Sequence, residues 1–270
     1  MTRTLTASQA SAIGPLLQYW RKTRSLSQLA LAHEADVSPR HICFLETGRA
    51  KPSREMVMLL SSVLDVPLRE RNAMLLAAGF APMYAESRLG APELRAVQTA
   101  LLAILRQQEP FPAVVMNRHW DLVQVNEAAR RFFGLLLGSR TEDRPANVVR
   151  LMFDPAGLRP HVANWEIVAE TLLQRVHREA VGGVPDATTD ALLAEVLAYP
   201  GVPRHLRRVN LVAPSVPVIP IRFRKGEHAF NYFSAVTTLG TPQDVTLQEL
   251  RIEAFFPADS STEDRARAMA

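Results

Sequence analysis

The chain has 270 residues, a formal net charge of +4 and a pI near 9.6, with 47% hydrophobic residues and a single cysteine. That apolar fraction is ample for packed cores, the lone Cys43 excludes an internal disulfide, and no stretch approaches the ~18 uninterrupted apolar residues of a membrane span. The charge is uneven: residues 1–80 hold 10 Lys/Arg against 6 Asp/Glu, residues 81–270 hold 21 against 21, and the whole cationic excess therefore lies in the first third. The length predicts two domains. The start of the chain has no charged head followed by an apolar run, so no signal peptide is expected, and a reducing cytoplasm is the expected setting.

Residues 1–9 are polar and expected to fray. Over residues 10–23, Ile13, Leu16, Leu17 and Trp20 recur at helical spacing, and Arg21, Lys22 and Arg24 crowd the helix end. Residues 27–53, SQLALAHEADVSPRHICFLETGRAKPS, read as two short helices, a tight turn between them and a basic loop after them. Ser27 caps the first helix and Gln28 lies in its first turn. Asp36 falls where the turn needs a residue that tolerates positive φ. Ser38 caps the second helix, and Pro39 takes the first helical position, where its missing N–H costs nothing. Ile42 and Leu45 face inward, which leaves Arg40, His41 and Phe44 outside, and Gly48 closes the helix. This is the spacing of a helix-turn-helix, whose second helix enters the major groove of DNA.

Ser27, Gln28, Leu31, Ala32, Ser38, Ile42, Glu46, Gly48, Arg49 and Pro52 stand where the phage-repressor-like (XRE/Cro) family carries its pattern, and the stretch resembles that family. The one departure is Asp36, where Gly is common. The resemblance also implies an ion pair between Arg21 and Glu46. Two further helices are predicted over residues 55–64 and 68–78. The phrase LDVPLRERNAMLLAAGFAP, with NRHWDLVQVNEAARRFFG, GLRPHVANWEIVA, AYPGV and TLGTPQDVTLQELRIEAFFPAD downstream, is similar to a subgroup called MmyB-like. This resemblance covers nearly the whole chain. It implies a PAS-like C-terminal domain that binds a small molecule.

Read on its own, the remainder is compatible. Residues 81–92 form a linker. Helices are predicted over 93–108, 126–134, 147–153, 162–181 and 188–198, and strands over 113–117 and 122–126. Residues 209–213, 219–224, 229–238 and 250–256 are rich in Val, Ile, Phe, Tyr and Thr, with Lys225-Gly226 as a hairpin turn. The expected architecture is multidomain: an all-α, five-helix domain over 1–80, then an α+β domain over 93–260 built on a five-stranded antiparallel sheet, and a tail over 261–270.

The expected function is a sequence-specific, DNA-binding transcriptional regulator, acting as a homodimer on duplex DNA, with no membrane partner. Arg40 is the expected base reader, through guanine O6 and N7, with His41 and Phe44 beside it. Ser27, Gln28, Ser38, Arg49 and Lys51 would hold phosphates and the helix ends. The second domain is expected to sense a lipophilic, fatty acid-like or aromatic small molecule. Phe132, Phe133, Leu136, Met152, Phe153, Trp165 and Leu172 are the expected apolar walls, with plain core filling as their other reading; Asn126, Asn164, Arg222 and Tyr232 are the polar anchors, with a helix cap, a loop hydrogen bond, a sheet-face ion pair and a surface phenol as theirs. The alternative is a second domain that serves only dimerisation or protein contact. No metal-ligand spacing among the seven histidines, no Gly-rich phosphate loop and no G-x-S-x-G elbow is present, so no catalytic residue, metal or resident cofactor is expected. On Cys43, in the second helix of the motif, a redox switch and a small residue in a Ser-like position are the two readings.

Overall fold

The computed structural model describes residues 13–138, 146–181, 186–207, 220–240 and 242–270. The chain divides into two compact units, Met1–Ser87 with Thr241–Gln248, and Arg88–Gly240 with Glu249–Ala270.

The first unit holds five helices, α1 (Ile13–Thr23), α2 (Gln28–Glu34), α3 (Pro39–Glu46), α4 (Arg54–Val63) and α5 (Leu68–Ala77). Each apolar stripe read from the sequence points into one core: Leu17 and Trp20 of α1, Leu31 of α2, Ile42 and Leu45 of α3, Leu60 of α4, and Met74 and Leu75 of α5. Burying side chains of this size contributes ~1.5–3 kcal/mol each, which is what holds such short helices in place. Asp36 takes φ 51°, as the turn between α2 and α3 demands. Gly14 is required by proximity: a Cβ there would lie 2.4 Å from the Glu46 carbonyl oxygen, so α1 and the end of α3 pack backbone to backbone.

The second unit carries α6 (Arg95–Gln107), β1 (Ala113–Met116), β2 (Leu122–Val125), α7 (Glu127–Leu137), α8 (Val148–Phe153), α9 (Trp165–Val181), α10 (Ala187–Leu197), β3 (Ile221–Lys225), β4 (His228–Thr237), β5 (Arg251–Pro257) and α12 (Ser260–Ala268), numbered around a short α11 (Val245–Glu249). The five strands form one antiparallel sheet in the order β2-β1-β5-β4-β3. The last strand of the sequence thus lies at its centre. A second core joins the sheet to α7–α10.

Most expected elements stand within a residue or two of their predicted bounds. The strand expected over 209–213 lies outside the described residues. Residues 260–268, most of them assigned to a tail, form α12; Asp259 caps it by accepting from the Thr262 amide at 2.7 Å. Nothing in the local pattern anticipated α11, whose first residues belong to the first unit although both flanking strands belong to the second.

Candidate functional site

Two features of the fold present chemistry outward: the exposed side of α3 and a cavity under the sheet. In the first unit, Ser27 accepts from the Ala30 amide at 3.0 Å and Ser38 from the His41 amide at 3.2 Å, which fixes the N-terminal ends of α2 and α3. The buried Ile42 and Leu45 orient α3, so Arg40 is exposed while His41 and Phe44 are half-buried. The Arg40 guanidinium lies 5.1 Å from the Phe44 ring centre and that of Arg49 lies 5.9 Å from it. Two cations therefore flank one ring on the open side of α3. Cation–π contacts at exposed sites contribute only ~0.5–1 kcal/mol, so these arginines are oriented without being locked away from another partner. Lys51 is exposed in the loop that follows.

Glu46 is the buried anchor beneath this surface. Arg21 donates to it twice, Nε to Oε1 at 2.6 Å and Nη2 to Oε2 at 2.9 Å, and Gln28 donates a third hydrogen bond at 2.8 Å. The ion pair expected from the resemblance is present. Burial pushes the Glu46 carboxyl up, and the bonds from Arg21 and Gln28 outweigh this and leave it below the usual carboxylate range. One amide proton of Gln28 is thus committed to Glu46.

In the second unit a cavity of about 680 Å³ lies between the sheet and α7–α9, and all five strands contribute to its wall. Alternate strand residues face it: Ile221 and Phe223 on β3, Ser234 and Val236 on β4, Glu253 and Phe255 on β5. Phe133, Met152 and Leu172 line it as the sequence suggests.

The other expected residues do not. Asn126 is buried and fully spent on backbone: its Oδ1 accepts from Ala113 and Ala129, and its Nδ2 donates to Leu105 and Phe111 carbonyls. Asn164 donates to the Pro220 carbonyl at 2.7 Å and accepts from the Arg222 amide at 3.0 Å, fastening the entry to β3. Arg222 is exposed, because on β3 it alternates with the inward Ile221 and Phe223. Phe132 stands at the centre of an aromatic cluster, with ring centroids of Phe223, Phe230 and Tyr232 at 5.0, 5.3 and 5.3 Å. Tyr232 belongs to that cluster, and burial pushes its phenol up to about 12. Leu136 follows Phe132 into the core one turn on. Phe153 is packed edge-on against Trp165 at 5.5 Å, and the Trp165 indole donates to the Met152 carbonyl at 2.7 Å.

The polar groups that do line the cavity are ones the sequence reading passed over: Arg130, Thr171, Arg175, Ser234 and Glu253. Arg175 reaches from α9 to within 3.8 Å of the Glu253 carboxylate on β5 and lies 4.6 Å from the Trp120 ring centre. Trp120 holds φ 67°, a left-handed conformation a bulky residue rarely adopts, and Arg251 flanks its ring at 5.4 Å. A usable signal was Glu253 two residues before Phe255, a spacing that on a strand puts the carboxylate and the ring on one face. Among the described residues there is no cluster of metal-ligating side chains and no helix long and apolar enough to cross a membrane.

Comparison with known proteins returns two family matches. The MmyB-like transcription regulator ligand binding domain matches residues 97–269, and a helix-turn-helix family matches residues 17–71. No curated protein matches the chain. Two solved structures are similar in part. One is the clp gene regulator ClgR from Corynebacterium glutamicum, at 24% identity and TM-score 0.23, over 38% of this chain and 95% of that one. The other is described as an RNA-binding Light-Oxygen-Voltage receptor, at 13% identity and TM-score 0.30, over 97% of this chain and 63% of that one.

Proposed function

The chain belongs to the MmyB-like transcription regulators, and from that premise we propose that it reads duplex DNA through α3 and responds to a lipophilic small molecule, a fatty acid or an aromatic compound, held in the cavity of its second unit. Arg40 pairs with guanine O6 and N7, Phe44 meets a thymine methyl, and His41 reads a neighbouring base. Gln28, Arg49, Lys51 and the capped helix ends at Ser27 and Ser38 hold phosphates and set register. Because one helix-turn-helix covers one half-site, two copies bind a pseudo-palindrome. The proposed setting is the cytoplasm, where Cys43 stays a free thiol.

The observation that carries the ligand reading is the cavity itself. Its volume of about 680 Å³ falls within the ~300–1,000 Å³ of small-molecule sites, and its wall is largely apolar with a few convergent polar groups. The test is native mass spectrometry of the full-length protein, as purified and after incubation with dodecanoate or 2-naphthoate, alongside selection of bound duplexes from a random pool. A bound mass released on denaturation, together with an enriched two-fold symmetric sequence, is the expected result. No bound mass under any of these conditions would favour a second domain that only dimerises. One observation supports a dimer in either case: α6 leaves Leu102 exposed on its outer side. Sedimentation of a Leu102→Glu variant checks whether that face joins two copies.

A further inference from the structure

The segment between β4 and β5 passes from the second unit into the first and back. It leaves the sheet after Thr237, contributes Thr241–Gln248 to the first unit, and returns as β5 at Arg251. Three of its contacts in the first unit are specific. The Val245 amide donates to the Ala85 carbonyl at 2.8 Å, and the Ser87 amide donates to Asp244 Oδ2 at 3.0 Å. Gln248 Oε1 accepts from the Leu68 amide at 2.7 Å. Leu68 opens α5, whose N-cap position is Pro67, which supplies no side-chain acceptor of its own. The first amides of a helix need acceptors from outside it, and Gln248 provides one from 180 residues away. Asp244, Val245 and Leu247 are buried.

Its two ends run into the cavity wall. Ser234 is paired with Phe255 and Val236 with Glu253 across β4 and β5, and all four line the cavity. Residues 249–252 alone separate Gln248 from Glu253. On the other side, α5 packs on α1 and α4, and its Met74 and Leu75 share the core that orients α3.

We infer that residues 242–248 act as a strap through which occupancy of the cavity biases the helix-turn-helix unit, with Gln248 as the grip on α5. This rests on the ligand reading above and adds its regulation. A ligand that prefers one arrangement of β4 and β5 changes the strap, and through the cap on Leu68 the setting of α5; by linkage, DNA changes ligand affinity by the same factor.

Amide hydrogen exchange on the full-length chain tests this. The cavity is perturbed in two ways: saturating dodecanoate, and Ser234→Leu, which fills space from β4 with no ligand present. Circular dichroism establishes that each variant folds, with Ser234→Val as the smaller replacement if Leu disrupts the sheet. Either perturbation is expected to change exchange at residues 68–72 and 85–87 by about fivefold or more, the low end of measured couplings. The response is expected to vanish in Gln248→Ala and to return in Gln248→Glu, whose carboxylate accepts the same bond. A purely structural role for Gln248 would alter basal exchange but leave the response. The strap is refuted if β4 and β5 amides respond while 68–72 and 85–87 do not, or if Gln248→Ala responds as the parent does. If dodecanoate leaves the cavity amides untouched, the lipophilic-ligand reading fails, and the Ser234→Leu arm alone decides the coupling.

Discussion

Replacing Glu46 by Ala removes three hydrogen bonds and one of two opposite charges from a nearly dry site. The Arg21 and Glu46 side chains are 10% and 1% exposed, and their contact is bidentate. After the change Arg21 keeps only its bond to the Leu26 carbonyl. An uncompensated buried charge of this kind costs about 3–5 kcal/mol, a large share of a domain stability of ~5–15 kcal/mol. Amide exchange in α1 and α3 reads the effect directly, since each ~1.4 kcal/mol is tenfold: protection should fall by roughly two to four orders of magnitude. Removing both partners, as Arg21→Met with Glu46→Leu, should recover most of it, because an apolar pair of similar volume replaces a buried ion pair at little cost. The sign with pH follows from the lowered Glu46 value. A depressed carboxylate stabilises the fold above its unfolded pKa, and that contribution is lost as pH falls through the folded one. Glu46→Gln should therefore be weaker at neutral pH and show less of the acid-side loss. A loss of protection under tenfold in Glu46→Ala, or a double variant no better than the single one, would refute the buried pair as the anchor of α3.

Arg40→Ala should weaken binding to the selected duplex by about five- to 150-fold, the ~1–3 kcal/mol of a bidentate base contact, while binding to random duplex changes little; fluorescence anisotropy with both duplexes checks it. Gly14→Ala should destabilise the first unit, because its Cβ would sit 2.4 Å from the Glu46 carbonyl oxygen and backbone must shift; a thermal melt below that of the parent is expected despite the better helix propensity of Ala. Leu172→Trp fills the cavity from α9; it should abolish uptake of dodecanoate in native mass spectrometry while circular dichroism shows the helix and strand content of the parent.

The helix-turn-helix was legible because its determinants are local. Ser38 and Pro39 cap and start α3, Asp36 takes the turn's positive φ, and the inward stripe follows from spacing. The cavity wall was legible only in part. Phe132 and Phe133 are adjacent on α7, yet one is enclosed in an aromatic cluster and the other lines the cavity. A hydrophobic pattern marks the face that is buried, and cannot mark where a buried face meets empty space. For Asn126 and Asn164 the helix-cap and loop-bond readings hold: both satisfy backbone groups that would otherwise be orphaned, and neither lines the cavity. Glu253 and Arg175 come from elements far apart in the chain, so their meeting depends on β5 taking the centre of the sheet. The strap was invisible for the same reason: a short segment between two strands carries no local sign of the unit it joins.

The position of the strap separates affinity from signalling. Coupling between sites is worth ~1–3 kcal/mol, and a buried methylene ~0.8 kcal/mol, so a difference of about one to four methylene contacts between two arrangements is enough. Contacts made equally in both arrangements tighten binding and move nothing. Leu172 and Val168 lie on α9, which is not continuous with the strap, so under the proposal their contacts with a ligand are expected to be the same in either arrangement. Ser234, Val236, Glu253 and Phe255 lie on the strands that lead into it. Val236 and Glu253 are the wall residues that flank the strap in sequence, and Arg175 ties Glu253 to α9. A ligand head group that takes Arg175 away from Glu253 alters β5 at that point, whereas an uncharged ligand filling the helix side of the cavity leaves the pair intact. Two ligands of equal affinity are therefore expected to differ in their effect on DNA binding, according to whether they engage Arg175.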